Sequence, residues 1–364
     1  KLRHRGPDDE GCFTNDFVSL GHTRLSIIDL NKSKQPMIDE NNKNVLIFNG
    51  EIYNFKELKN ELKQLGYKFK TDGDTEVILK SYKEWGTECL KRFEGMFVFV
   101  IWDNKKNELI VARDRMGEKP LFYYYSRENG LIFASEIKAF LAVKEFKEKL
   151  KLNEESLNQY LSLNYLIDNQ TFFKNIHTLE PASYLIVNKN NIKNIKSLKY
   201  WNLENYFKNK TEDSYQTSIK KINELIETST RKRFFSNVTN GVFLSGGLDS
   251  STLSYQLKNI ENNNFDAHNI AFKEEDFDEY RDAKIISDFF NANLFSYNIP
   301  IADQLVSEFP NIVEAMDQPM SDTSFIATYY LSKFSSKKSK MVLSGDGADE
   351  LFCGYDTFIA DKFR

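Results

Sequence analysis

The second half of the chain alternates short apolar strands with helical segments, and this alternation constrains its fold more than any other feature. Strands joined by helices form a parallel sheet that is covered on both faces. We therefore predict an α/β parallel-sheet domain over residues 215–364. The predicted strands are 241–244, 270–272, 294–297 and 341–343, and the predicted helices are 219–234, 252–257, 280–290 and 323–334.

The first half has a different pattern of predicted elements, with strands at hairpin spacing and few helices. Two helices are predicted at 55–65 and 75–85, and a compact apolar strand at 45–48 ends at the turn pair Asn49-Gly50. The remaining predicted strands follow as a meander and end with 185–187. This pattern predicts an α+β domain over 1–203, a linker over 204–214 and the α/β domain beyond it.

Composition excludes several classes of protein. The 364 residues contain 49 Lys and Arg against 53 Asp and Glu, a net charge of −4, which argues against a general nucleic-acid binder. Three cysteines indicate a reducing compartment, and the four histidines show no zinc spacing. The longest apolar run has seven residues, whereas a membrane span needs about 20. We expect a cytoplasmic protein with no nucleic-acid or membrane partner.

The loop SGGLDSS at 245–251 follows a predicted strand and opens a helix. Backbone N–H groups at a helix N-terminus bind anions, and two glycines allow close approach of a phosphate. The Asp249 carboxylate would repel a phosphate unless a divalent cation lay between them, which suggests magnesium. The loop is neither a Walker A motif nor a nucleophile elbow. The alternative is an ordinary turn between a strand and a helix.

A second loop, SGDGADE at 344–350, also follows a predicted buried strand. Loops at the carboxyl ends of parallel strands converge on one ligand site. The acidic residues Asp346, Asp349 and Glu350 suit metal-bridged contact with pyrophosphate, and Asp346 is a candidate for proton transfer. The third glycine of a dinucleotide fingerprint is replaced by Glu350, so we exclude a Rossmann NAD site.

Together these strings resemble the glutamine-hydrolysing asparagine synthetase family. SGGLDS and LSGDGADELF resemble its ATP-pyrophosphatase domain, an adenine-nucleotide α-hydrolase-like (PP-loop) fold. Six strings of the first half resemble its class II glutamine amidotransferase domain, an N-terminal-nucleophile fold of the αββα type. They are RGPD at 5–8, GHTRLSIID at 21–29, NGEIYN at 49–54, GDTEV at 73–77, GMF at 95–97 and ARD at 112–114.

The resemblance implies a glutamine site in the first half. Arg24 would pair with the α-carboxylate of glutamine, and the backbone of Leu25, Ser26, Ile27 and Ile28 would line the pocket. Asn49 and Gly50 would form the oxyanion hole, and Glu51 and Asp74 would receive the α-ammonium side. The alternatives are a surface ion pair for Arg24, a hairpin turn for Asn49-Gly50 and a helix N-cap for Asp74.

The resemblance also implies an ATP site in the second half. Residues 245–250 (Ser245, Gly246, Gly247, Asp249 and Ser250 among them) would hold the pyrophosphate, and Leu244 and Ile270 the adenosine. Ser344 and Gly345 would contact the nucleotide from the second loop. Asp249 and Asp349 would hold Mg²⁺, and Asp346 joins Asn49 and Gly50 as a catalytic candidate.

The reaction that the family implies is amidation of aspartate to asparagine with ATP and with ammonia from glutamine. An aspartyl-AMP intermediate forms, and pyrophosphate and AMP are released. The alternatives are amidation of another carboxylate, such as a sugar acid of a surface polysaccharide, and a catalytically dead regulator that binds nucleotide or glutamine. A homodimer is an open expectation.

The family's nucleophile is an N-terminal cysteine, which we expect upstream of Lys1. Family members also continue beyond Arg364, where much of the acceptor pocket lies. The sequence given is therefore not expected to hydrolyse glutamine by itself. Cys12 lies mid-chain without a free amine, and we predict that Cys12 and Cys89 are small buried residues.

Overall fold

The computed structural model describes residues 1–39, 43–126, 130–192, 195–234, 238–261, 264–272 and 278–361. The chain divides into two compact units, Lys1–Thr211 with Met316–Ser321 (unit 1) and Glu212–Ala315 with Asp322–Arg364 (unit 2). The boundaries drawn from the sequence, with a linker at 204–214, remain predictions. None of the helices in the described ranges is both long and apolar enough to cross a membrane.

Unit 1 is built around a six-stranded antiparallel sheet with strand order β11-β10-β6-β5-β4-β3. A β1–β2 hairpin and a three-stranded sheet, β8-β7-β9, complete its strands. The strands are β1 Asp9–Thr14, β2 Ser19–Arg24, β3 Met37–Ile38, β4 Val45–Ile52, β5 Gly95–Asp103, β6 Glu108–Arg113, β7 Phe122–Ser126, β8 Gly130–Ala134, β9 Ile176–Thr178, β10 Ser183–Asn188 and β11 Lys196–Lys199.

The helices of unit 1 are short apart from three of 10 to 12 residues. They are α1 Phe55–Gln64, α2 Asp74–Trp85, α3 Cys89–Arg92, α4 Lys138–Leu141, α5 Lys144–Lys147, α6 Glu154–Leu163 and α7 Glu204–Lys208, with 3-10 turns at Arg3–Arg5 and Gly86–Glu88.

Strand β5 is buried on both faces, and its side chains alternate between two cores. Phe97 and Phe99 pack with the apolar faces of α1 and α2 in one core. Val98 and Val100 pack in the other core, which includes Leu20 of β2. Burial of these apolar side chains on both faces is the main contribution to the stability of the sheet. The strand that carries the predicted oxyanion residues, β4, lies beside β5.

Unit 2 is built around a four-stranded, fully parallel sheet with the order β14-β13-β12-β15. The predictions of an α+β first half and a parallel α/β second half are therefore confirmed. Its strands are β12 Asn240–Phe243, β13 Asp266–Ala271, β14 Asn293–Asn298 and β15 Met341–Leu343. Its helices are α8 Tyr215–Arg233, α9 Leu248–Glu261, α10 Tyr280–Phe290, α11 Ala302–Met316, α12 Ser324–Ser335, α13 Ala348–Phe352 and α14 Asp356–Asp361.

Several predictions about single elements were wrong. The strand at 185–187 is not the last of the first half, because β11 follows and pairs with β10. All four residues of β11 are exposed, so no apolar pattern marks the strand. Helix α11 was not predicted, and Pro310 lies inside it. Cys12 is exposed on the β1–β2 hairpin, whereas Cys89 is buried as predicted.

Candidate functional site

Asn49 and Gly50 lie inside strand β4 and do not form a hairpin turn. The strand continues to Ile52, and Gly50 is paired with Phe97 of β5. Gly50 has φ +146°, and a Cβ atom there would lie 2.0 Å from the carbonyl oxygen of Met96. Only glycine combines this torsion with so close an approach. The alternative interpretation as a turn is wrong, and so is the predicted end of the strand at Phe48.

The side-chain amide of Asn49 is the least satisfied polar group of this strand. Its Nδ2 atom is buried and has no hydrogen-bond partner among the described residues. A buried donor without a partner costs about 1–3 kcal/mol, so such a group calls for an explanation. The amide is therefore free to donate to a ligand.

The peptide next to Asn49 is held firmly in place. Gln35 accepts from the Phe48 N–H through Oε1 (2.6 Å) and donates to the Phe48 carbonyl through Nε2 (3.0 Å). The Nε2 of His22 lies 2.9 Å from the same carbonyl oxygen, and burial lowers the pKa of His22. A neutral ring must donate from Nε2 to contact a carbonyl. Both side chains thus fix the backbone that carries Asn49.

Arg24 is buried at the end of β2, where it organises the following loop. Its Nη1 donates to the Leu30 carbonyl (3.1 Å), and its Nη2 donates to the carbonyls of Ile28 (3.1 Å) and Asp29 (2.9 Å). The alternative of a surface ion pair is wrong, because the side chain is 6% exposed. Two of the five N–H groups of a guanidinium remain for other acceptors. Pairing with the α-carboxylate of glutamine stays a prediction.

The predicted pocket lining after Arg24 is only partly inward-facing. Ser26 and Ile27 are buried and Ile28 is half-buried, whereas Leu25 is 42% exposed. The Ser26 N–H donates to the Asp8 carboxylate over 2.8 Å, which fixes the loop to the segment before β1. Contact of these four residues with a ligand stays a prediction.

Glu51 and Asp74 form a hydrogen-bonded carboxyl pair. Burial and the Asp74 charge raise the pKa of Glu51 well above its usual range. Burial also raises the pKa of Asp74 to about 6, although the Ile52 N–H (3.0 Å) and the N–H groups of residues 74 and 75 favour its ionised form. Two carboxyl groups in contact share a proton because both cannot ionise cheaply. The pair thus provides a buried anionic site.

Asp74 is the first residue of α2, and Gly73 occupies the N-cap position. The predicted alternative, a helix N-cap at Asp74, is therefore wrong. The carboxylate still benefits from the N-terminus of the helix dipole.

In unit 2, the loop after β12 is closed by its own serines. The hydroxyls of Ser245 and Ser250 lie 3.0 Å apart, and Ser250 donates to the Gly247 carbonyl (3.2 Å). The Gly247 N–H donates to Ser245 Oγ (3.2 Å), and Gly246 has φ +91°. Helix α9 begins at Leu248, four residues before its predicted start, so Asp249 and Ser250 lie in its first turn.

Asn269 fixes the strand edge next to this loop, although the sequence did not single it out. Its Nδ2 donates to the Leu244 carbonyl (3.0 Å), and its Oδ1 accepts from Ser296 (2.9 Å). The predicted adenosine residues lie around it, Leu244 buried at the end of β12 and Ile270 half-buried on β13. The sequence does offer a signal for this role, because Asn269 is an amide residue inside an otherwise apolar strand.

The second loop reaches the first, as expected from neighbouring parallel strands. Val342 of β15 pairs with Gly241 of β12. A Cβ atom on Gly345 would lie 3.0 Å from the Cβ of Asp249, so the two loops are in contact there. Ser344 donates to the exposed Asp346 carboxylate over 2.9 Å.

The predicted metal ligands Asp249 and Asp349 are both half-buried carboxylates. Oδ1 of Asp349 lies against Gly354, where an added Cβ would be 1.9 Å away. Within the described ranges, no three acidic, His or Cys side chains are grouped as a metal site. Mg²⁺ bound to a nucleotide needs only one or two carboxylates in addition to phosphate oxygens. The chemistry of this donor pair fits that ion.

Two family models match the chain in order. A glutamine amidotransferase domain matches residues 1–201, and an asparagine synthase domain matches residues 221–364. A Methanocaldococcus jannaschii protein named "putative asparagine synthetase [glutamine-hydrolyzing] 2" is 37% identical over 98% of this chain and 72% of its own length. The chain belongs to the glutamine-hydrolysing asparagine synthetase family. The predicted family and its fold, an N-terminal-nucleophile domain followed by a parallel-sheet synthetase domain, are confirmed.

Other members of the family match the chain over a smaller share of their own length. Asparagine synthetase 1 of Bacillus subtilis is 34% identical over 98% of this chain and 54% of its own length. A Gibberella zeae protein named amidase chry2 is 32% identical over 99% of this chain and 55% of its own length. The chain thus spans just over half the length of these two relatives.

Proposed function

We propose that this chain carries the glutaminase and ATP-binding parts of an enzyme that amidates aspartate to asparagine. Glutamine is hydrolysed in the first unit, and ATP activates the acceptor carboxylate in the second. Activation is necessary because an unactivated carboxylate would have to expel an oxide. Forming aspartyl-AMP with release of pyrophosphate gives ammonia a better leaving group, AMP.

The observation that carries the proposal is the unpartnered Nδ2 of Asn49. Attack on the side-chain amide of glutamine puts negative charge on its oxygen, and a fixed donor aimed at that charge lowers the barrier. Asn49 and the neighbouring Gly50 supply this donor site. The rigid Phe48 peptide supports the role, since oxyanion donors act by being positioned before the reaction.

The Glu51–Asp74 pair supports recognition of an amino acid. Its buried negative charge suits the α-ammonium group of glutamine. An amide that is not an amino acid has no such ammonium group and would not be bound by this pair. Arg24 remains our candidate for the α-carboxylate through its remaining N–H groups.

In the second unit, the loops after β12 and β15 would hold ATP. The contact between Gly345 and Asp249 supports a shared site for both loops. Asp249 and Asp349 would hold Mg²⁺, which neutralises phosphate charge when bound. Leu244 and Ile270 would contact the adenosine, and Asp346 is the candidate for proton transfer.

The Asp249→Asn variant of the full-length protein tests the synthetase half. We expect aspartate-dependent pyrophosphate release to be abolished and glutamine hydrolysis to be retained. Asp303→Asn, an exposed acid on α11, is the control and should leave both activities unchanged. Retained pyrophosphate release in Asp249→Asn would contradict the metal assignment.

The acceptor is the least determined part of the proposal. One relative is named as an amidase, so the alternative acceptor is a different carboxylate, such as a sugar acid of a surface polysaccharide. Pyrophosphate release measured with aspartate and with uronic acids separates these candidates, and release with aspartate alone supports ours. ATP binding in a thermal-shift assay without pyrophosphate release for any acceptor would instead indicate a dead regulator. A homodimer and a cytoplasmic location remain expectations.

A further inference from the structure

The side chain of Gln35 takes the place of a strand residue at the edge of β4. Met37, the first residue of β3, pairs with Leu46 of β4. Two residues further along the same antiparallel register, Gln35 is opposite Phe48. There the side-chain amide of Gln35, not its backbone, bonds the Phe48 N–H (2.6 Å) and the Phe48 carbonyl (3.0 Å). One side chain thus supplies both hydrogen bonds that a continued strand would make.

The β1–β2 hairpin holds this arrangement from a second direction. The Gln35 carbonyl oxygen lies so close to Gly11 of β1 that a Cβ atom there would clash. His22 of β2 is the strand partner of Gly11, and its Nε2 lies 2.9 Å from the Phe48 carbonyl oxygen. That oxygen therefore has two partners, as many as it has lone pairs. The peptide that joins Phe48 to Asn49 is fixed by two side chains from outside β4.

A side chain can satisfy Phe48 without placing a strand alongside Gly50. Residues two apart in a strand direct their N–H groups to the same edge, so the Gly50 N–H faces the side on which Gln35 lies. On the opposite side, the N–H of Phe97, the strand partner of Gly50, donates to Asp114 Oδ2 (3.1 Å), and its carbonyl accepts from the Asp114 N–H (2.8 Å). A longer β3 would set its own backbone against the Gly50 N–H, whereas the side-chain hydrogen bonds of Gln35 go to Phe48.

We propose that Gln35 is a positioning residue for the oxyanion hole, an inference that rests on the proposed function. Its amide fixes the Phe48 peptide, and with it the direction of the Asn49 side chain, without occupying the Gly50 N–H. His22 is the second donor to the same carbonyl. A donor displaced by about 1 Å can cost about 10²-fold in rate, so a residue that holds the donor in place affects turnover without touching glutamine.

Glutamine hydrolysis by the full-length protein separates positioning from binding. Gln35→Met removes both hydrogen bonds and should lower kcat about tenfold, with KM within about twofold of wild type. In an Asn49→Ala background the same substitution should change kcat less than about threefold, because the positioned donor is already gone. Gln64→Met, at the exposed end of α1, is the control and should hydrolyse glutamine as wild type. Gln35→Glu, which keeps the length and the acceptor but loses the donor, gives the same comparison if Gln35→Met melts at a lower temperature.

Hydrogen exchange gives a readout that does not depend on turnover. The Phe48 amide should exchange about tenfold faster in Gln35→Met, because Gln35 Oε1 is its acceptor. The amide of Ile101, paired within the sheet on β5, should be unchanged. A kcat loss that persists in the Asn49→Ala background, a rise in KM without a loss of kcat, or an unchanged Phe48 amide would each overturn the proposal. Wild-type turnover of Asn49→Ala alone would instead contradict the proposed function.

Discussion

The glutamine pocket in unit 1 and the loop after β12 in unit 2 differ in how their central polar side chains are hydrogen-bonded. In the pocket, Asn49 Nδ2 has no hydrogen-bond partner among the described residues, and Glu51 shares a proton with Asp74. In the loop after β12, the hydroxyls of Ser245 and Ser250 bind each other and the loop backbone.

The difference has a physical consequence for mutations. Unsatisfied groups in the pocket cost stability and wait for a ligand, so removing one should affect function without unfolding the unit. The hydroxyls of Ser245 and Ser250 are satisfied within the loop, so a nucleotide would have to replace these internal hydrogen bonds. Removing either of these two hydroxyls should therefore affect stability as well as binding.

The largest effect is expected where backbone geometry, not a polar group, builds the pocket. Gly50→Ala would place a Cβ atom 2.0 Å from the Met96 carbonyl oxygen at φ +146°. We expect unit 1 to lose about 3–4 kcal/mol of unfolding free energy, measured by denaturant unfolding. Gly21→Ala is the matched control on β2, because no atom lies within 4 Å of its added Cβ. Equal stability of the two variants would contradict the described strand pairing.

A smaller effect on the free energy of unfolding is expected for Ser250 than for Gly50, and it should distinguish Ser250 from its neighbour Ser251. The buried Ser250 hydroxyl contacts Ser245 and Gly247, so Ser250→Ala should cost unit 2 about 1–2 kcal/mol. The Ser251 hydroxyl is buried without a partner among the described residues, so Ser251→Ala should lower the free energy of unfolding by no more than about 0.5 kcal/mol. Chemical denaturation of both variants measures the difference. A larger loss for Ser251→Ala would overturn the account of a self-closed loop.

The smallest effects concern pH and should have opposite signs in the two units. Asp74 has a folded pKa of about 6 against an ordinary 3.8, so its folded form retains a proton and loses stability as pH rises. Burial lowers the pKa of His268 below 6.5, so its unfolded form binds more protons and stability falls at lower pH. Each slope is at most about 1.4 kcal/mol per pH unit.

Hydrogen exchange between pH 5 and 7 measures these slopes in each unit separately. The gain of Asp74→Asn over wild type should grow with rising pH in the amides of β4 and β5. The gain of His268→Gln over wild type should grow with falling pH in the amides of β12 and β13. Slopes of the same sign in both variants would contradict the assigned protonation states.

Elements with a complete apolar pattern could be predicted from the sequence. Helix α10 has the predicted bounds, Tyr280–Phe290, because one apolar face packs on the sheet. Strand β15 also matches its prediction at 341–343. By contrast, β11 is fully exposed and carries no such pattern, and its pairing with β10 is decided by tertiary contacts.

Site residues could be predicted from the sequence where they belong to a recognisable motif. They could not be predicted where their role depends on packing between distant segments. Asn49-Gly50 reads locally as a turn, yet the close approach of Met96 makes Gly50 part of a strand. The backbone position of Lys119 carries no local signal, because it depends on the Asp114 carboxylate that bridges the N–H groups of Phe97 and Lys119. Long-range hydrogen bonds of this kind are not encoded in neighbouring residues.

The most direct test of the central claim is a paired measurement on Asn49→Ala in the full-length protein. If Asn49 Nδ2 is a preorganised oxyanion donor, glutamine hydrolysis should fall by about 10² to 10³. The free energy of unfolding should fall by no more than about 0.5 kcal/mol below that of wild type, because the deleted donor has no partner among the described residues. Unchanged turnover, or a loss of turnover explained by unfolding, would contradict the account.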